Sequence, residues 1–174
     1  MKILAVCVLG CAVVVLVGAA AVEEEKAQND QTGINNLDKR YTLYHRGWSR
    51  INGRDFFFVP SLMTWYQAEK YCQSIGANLA SVHNALEHRW LQKLIFVATH
   101  YYKEAWIGGS DAQQKGIWFW SDGSRFRYTY WCRGEPNNSY GRQHCLQINQ
   151  GAHNCWGDLQ CYTRRPSICV KKRC

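Results

Sequence analysis

With 174 residues, nine cysteines and 21 basic against 13 acidic side chains, a formal charge of +8, the chain has the length of one modest domain, and its basic balance suits anionic surfaces such as bacterial envelopes and acidic glycans, or simply solubility. The sequence shows no basic helical stripe of the kind that binds nucleic acid. It has no Gly-x-Ser-x-Gly, no His-Glu-x-x-His and no nucleophile beside a base, so an enzyme is not expected, and the lack of a Cys-x-x-Cys pair argues against a thiolate zinc site.

At the N-terminus, Lys2 precedes an apolar run from Ile3 to Val17 that ends in Gly18, Ala19, Ala20 and Ala21. This layout predicts a signal peptide over residues 1–20 and a secreted product: the run is shorter than the ~20 apolar residues that cross a bilayer, and Glu23, Glu24 and Glu25 follow directly. Residues 21–40 are acidic and free of aromatics and read as a propeptide or flexible linker, with cleavage after Lys39-Arg40 and retention as a tail both open. The folded domain is expected over 41–174. Removing the first 40 residues, with four of the 21 basic and five of the 13 acidic side chains, leaves 17 against 8, a formal charge of +9. Cys7 and Cys11 leave with the leader, and the seven cysteines that remain suggest three internal bridges and one thiol that joins two chains.

Over Thr64 to Ile75 the apolar positions Trp65, Ala68, Cys72 and Ile75 recur at helical spacing, and Gly76 stops the helix. A second helix starts at Asn84, with Glu87 completing a capping-box pattern and Leu86, Leu91, Leu94 and Ile95 on its buried side; it ends before His100. Strands follow at Ala105–Gly109, Ile117–Trp120, Cys145–Ile148 and Ser167–Lys171, while residues 130–144 are too rich in Gly, Asn and Pro for regular structure. The fold class is α+β, and binding residues are to be sought in the long loop region between Trp131 and Asp158. His83 and His88 diverge on a helix and His144 and His153 flank cysteines, so all four read as surface histidines.

Six landmarks then appear in order: Gly-Ala-Asn-Leu-Ala-Ser-Val at 76–82, Ala-Trp-Ile-Gly-Gly at 105–109, Trp-Ser-Asp-Gly at 120–123, Trp-Cys-Arg-Gly-Glu-Pro-Asn-Asn at 131–138, Gln-His-Cys at 143–145 and Cys-Trp-Gly-Asp-Leu-Gln-Cys at 155–161. The series resembles the C-type lectin domain over about residues 47–170, with a pattern similar to fish mucus lectins and type II antifreeze proteins. The resemblance implies two helices packed on short antiparallel sheets, a long binding loop and disulfide bracing. It implies Cys72–Cys169 across the domain and Cys145–Cys161 around the loop. Of the remaining cysteines, Cys132 and Cys155 are placed to tie the two arms of the site, and Cys174 is left for an interchain bond and a homodimer. The bridge that many relatives carry near Gly47-Trp48 is absent here, at a cost of about 2 to 4 kcal/mol, so the resemblance implies a first hairpin held by packing of Trp48, Phe56, Phe57 and Phe58.

In this family a Glu-Pro-Asn loop, a later carboxylate and a Trp-Asn-Asp segment hold one Ca²⁺ that grips two sugar hydroxyls, an ion that takes about six to eight oxygens. Glu135, Asn137 and Asp158 match those ligands, whereas Gln143 replaces the carboxylate and Gly157 replaces the Asn. The resemblance therefore implies a weak Ca²⁺ site or none, with Glu135, Asn137, Gln143 and Asp158 as sugar-binding groups. Trp156 or Tyr140 would serve as an apolar platform, Trp156 also reading as core. Glu-Pro-Asn points to mannose-type sugars and leaves a galactoside such as lactose open. The expected function is glycan recognition on cell or microbial surfaces in mucosal innate defence, including agglutination. The rivals are a type II antifreeze-like ice-binding protein, against which the charge and Arg133, Arg142, Arg164 and Arg165 near the loops count, and a protein-binding module. The sequon Asn137-Asn138-Ser139 reads as incidental, since a glycan there would block the site.

Overall fold

The computed structural model describes residues 43–44 and 47–172; the expected leader, the segment 21–40 and Cys174 lie outside them. The first hairpin runs from β2 (Trp48–Ile51) to β3 (Arg54–Met63), with the short β1 (Leu43–Tyr44) paired to β2. Its two-residue turn is Asn52-Gly53, both with positive φ (49° and 76°), the twist that matches flanking antiparallel strands. The aromatics hold it in place of the missing bridge, as the resemblance implies. Phe56 is fully buried, Trp48 packs on Phe57 with ring centroids 5.2 Å apart, and the Lys171 ammonium sits 4.3 Å above the Trp48 ring.

Helix α1 (Trp65–Ser74) begins in a full capping box between Thr64 and Gln67 and turns Trp65, Ala68 and Cys72 inward. Glu69 is buried with them and is matched by three donors: Leu79 N at 2.8 Å, Asn78 Nδ2 at 2.6 Å and Gln73 Nε2 at 2.9 Å. Helix α2 (Ala85–Thr99) is capped by Asn84, whose side chain accepts from Glu87 N at 2.9 Å. The expected reciprocal bond takes another form: Glu87 Oε2 accepts from His83 N at 2.8 Å and pairs with Arg54 at 2.9 Å, which fastens the helix to β3. Leu86 is only half-buried. The inward stripe is Glu87, His88, Trp90, Leu91, Leu94 and Ile95, so His88, expected at the surface, is a core residue.

The remaining strands are β4 (Asn78–Leu79), β5 (Ala105–Ser110), β6 (Phe119–Trp120), β7 (Cys145–Gln150), β8 (Cys155–Leu159) and β9 (Arg165–Lys172). Their order is β1-β2-β3-β9-β5-β7-β8, with β4 on β9 and β6 on β5. The sheet is mixed: β5 runs parallel to β9 through Trp106 and Ser167, a pairing that needs a long crossover and so escapes local reading. The strand expected at 117–120 shortens because Ile117 N closes a turn onto Gln114 O and Trp118 leaves the ladder to pack on Phe126 and Trp131. Val59, Trp65, Ala68, Cys72, Leu79, Trp106, Cys145 and Cys169 form the core between α1 and the sheet. Disulfides Cys72–Cys169, Cys145–Cys161 and Cys132–Cys155 are formed. Among the described residues no helix is long and apolar enough to cross a membrane.

Candidate functional site

The loop region between β6 and β8 stands on an aromatic base. Trp156, on β8, is fully buried, and Trp120, Phe126, Tyr128 and Trp131 surround it with ring centroids 5.6 to 6.3 Å away. Its indole N–H donates to His88 Nδ1 at 3.1 Å. Trp156 is therefore core and no sugar platform, because every face of the ring is already covered. The two arms of the loop meet above it: Trp156 N donates to Tyr130 O and Cys132 N to Trp156 O, each at 2.8 Å, beside the Cys132–Cys155 bond. Tyr140 is the exposed aromatic at the rim, 91 % accessible and in the left-handed region at φ 57°.

On this base the structure brings Glu135, Asn137, Gln143 and Asp158 together. The peptide between Glu135 and Pro136 is cis. Glu135 Oε1 accepts from Asn137 Nδ2 at 2.8 Å and its Oε2 from Asn137 N at 3.1 Å. Asp158 Oδ1 accepts from Asn137 N at 3.0 Å and Oδ2 from Asn138 N at 2.7 Å. Ser139 N donates both to Asn137 Oδ1 at 2.8 Å and to Gln143 Oε1 at 2.7 Å. Each side-chain oxygen of the four residues thus already accepts an N–H. They differ in reach: Asn137 is exposed and Glu135 and Gln143 are half-buried, while Asp158 is 2 % exposed and lies beneath the site, holding the turn. Burial, and next the adjoining Glu135 carboxyl, push Asp158 up to about 6 against the opposing pull of the Asn138 and Asn137 amides.

Two residues outside the expected set complete the geometry. Gln150 Nε2 donates to Glu135 Oε1 at 2.7 Å, and Gln147 Nε2 donates to Gln150 Oε1 at 3.0 Å. A Cβ placed on Gly157 would fall inside the Gln150 carboxamide, so Gln150 occupies the space a side chain at 157 would need. As held here, the donor set does not fit a calcium ion: its oxygens face N–H groups, one expected ligand position has no side chain, and an amide nitrogen points at Glu135. Among the described residues no group of three or more His, Cys, Asp or Glu is placed to hold a metal. No local pattern in the sequence marks Gln150, because its side chain reaches Gly157 through an irregularity in the β7–β8 pairing between Gln147 and Gln150. His144, beside the loop, is engaged with Asp111 at 2.8 Å.

Comparison with known proteins identifies the family. Residues 61–171 match the family model described as the lectin C-type domain. Ladderlectin of Oncorhynchus mykiss is 39 % identical over 180 residues, covering 99 % of this chain and 95 % of that protein. The galactose-specific lectin nattectin of Thalassophryne nattereri is 39 % identical over 140 residues, covering 80 % and 87 %. Among solved structures, the herring type II antifreeze protein is 34 % identical, covers 75 % of this chain and all of its own, and superposes with a TM-score of 0.70. Fold and sequence agree, and the chain belongs to the C-type lectin domain family.

Proposed function

We propose that the chain is a secreted carbohydrate-binding lectin that recognises glycans on cell or microbial surfaces, acts in mucosal innate defence, and needs little or no calcium. The observation that carries the reading is the convergence of Glu135, Asn137 and Gln143 at one accessible rim beside Tyr140, on a loop braced from below. Carboxylate and amide groups in this arrangement accept from and donate to vicinal hydroxyls, and an exposed aromatic ring covers the apolar face of a sugar. Asp158 contributes from beneath by fixing the Asn137 and Asn138 amides. Selection of mannose-type sugars by Glu-Pro-Asn acts through a metal and lapses without one. Nattectin is a galactose-specific lectin, which makes lactose the first ligand to try, with a mannoside beside it.

Calorimetric titration with both sugars, in calcium and in chelator, tests the reading. Binding that persists in chelator is expected; binding that vanishes there overturns calcium independence, and none in either condition removes the lectin. The similarity to the herring antifreeze protein supports ice binding as a second reading. Thermal hysteresis without glycan binding would establish it in place of the first.

A further inference from the structure

The orientation of the Gln150 amide is dictated by its chemistry. Arg165 can only donate, and its Nε meets Gln147 Oε1 at 3.2 Å, so Gln147 must present its nitrogen onward. That nitrogen meets Gln150 Oε1 at 3.0 Å, so Gln150 must in turn present its own nitrogen to Glu135 Oε1, an acceptor, at 2.7 Å. Two amides are thus polarised in one direction between a guanidinium and a carboxylate. Arg165 is itself anchored by Glu104 at 2.8 Å, and Gln147 is only 3 % exposed, so neither end is free to flip.

We infer that Gln150 closes the calcium position from within: its N–H meets Glu135 where a cation would sit, and its carboxamide fills the volume left by Gly157. The inference deepens the calcium-free reading of the same site and rests on it. Two features of the chain are then one device. Glycine at 157 removes a metal ligand and simultaneously makes room for Gln150, whose N–H occupies Glu135 Oε1. Bulk and polarity act together, because a cation at Glu135 would face the positive end of the Gln150 amide dipole.

The test uses Ca²⁺ alone, on the full oxidised chain, read by calorimetry and by Tm in calcium against chelator. The wild type gives no heat and no Tm shift at about 10 mM Ca²⁺, above the weakest extracellular protein sites. The near-isosteric Gln150→Glu keeps the bond from Gln147 but places an acceptor opposite Glu135; it gains Ca²⁺ binding in the range of about 0.1 to 1 mM and a Tm that rises with calcium. The double variant Gln150→Ala/Gly157→Asn, which empties the space and restores a side chain at 157, gains binding by a different route. If the wild type is blind to calcium and both variants fold yet stay blind, the inference falls while the calcium-free lectin stands. If the wild type binds Ca²⁺, the inference and the calcium independence fall together, and sugar binding is decided by its own titration.

Discussion

His88 shows how one side chain couples the helix, the loop base and the solution pH. Its Nδ1 must stay unprotonated to accept the Trp156 indole N–H, its Nε2 is buried without a hydrogen-bond partner among the described residues, and the Tyr130 ring lies 4.3 Å away, centroid to centroid. Burial first, and Arg89 second, lower its pKa to about 4 from 6.5. A lowered pKa on a base means that the unfolded chain takes up the proton first. The stabilisation is complete above pH 6.5 and is lost as pH falls through about 4, at most of order 3 kcal/mol. Asp158 acts in the opposite sense: raised to about 6 from 3.8, its contribution is present below 3.8 and disappears as pH rises through about 6. Because the two oppose each other over one window, the difference between variants is the quantity to read. In urea melts from pH 7 to pH 4, His88→Gln should lose less stability than the wild type; parallel curves would show that His88 does not titrate on unfolding.

The elements that form the site are a β-hairpin and an irregular loop, joined at one covalent point. Cys132–Cys155 lies at the foot of both arms, three residues before Glu135 on one and three before Asp158 on the other. The backbone pairing of Trp131 with Trp156 keeps the arms adjacent without it, so the bond contributes rigidity beyond topology. Replacing both cysteines by serine should lower stability by about 3 kcal/mol and weaken sugar binding by about tenfold through lost preorganisation, with the cooperative melt retained. Unchanged affinity in the folded variant would show that hydrogen bonds alone hold the loop. The same scale shows what can be read locally. The α1 cap at Thr64 and Gln67 and the stop at Gly76 are contained in short stretches of sequence, and both appear in the fold. Asn52-Gly53 marks the first hairpin turn as plainly, a signal of the same local kind. Trp118 illustrates the limit: its neighbours read as a strand, but Phe126 and Trp131 draw it out of the ladder.

At the scale of the molecule, the number of sites carried together depends on whether chains are joined. We propose that Cys174, which follows Lys171-Lys172-Arg173, joins two chains, so that weak single-site binding becomes agglutination of glycan-coated cells. Cys174→Ser should then leave the single-site Kd unchanged, abolish agglutination and convert a non-reducing dimer band to monomer; a wild type that runs only as monomer would remove the dimer. The formal +9 of residues 41–174 adds attraction to anionic surfaces, which salt screens. The sequence by itself determined the two helices, the α+β class, the family landmarks and four residues that converge on one loop, because caps, periodicity and ordered motifs are short-range properties. Only the tertiary structure decided that β5 and β9 run parallel, that Trp156 and His88 belong to the core, that Asp158 lies under the site, and that Gln150 fills the space over Gly157. Each of these depends on which distant surface a side chain meets, and that is set by packing across the sheet.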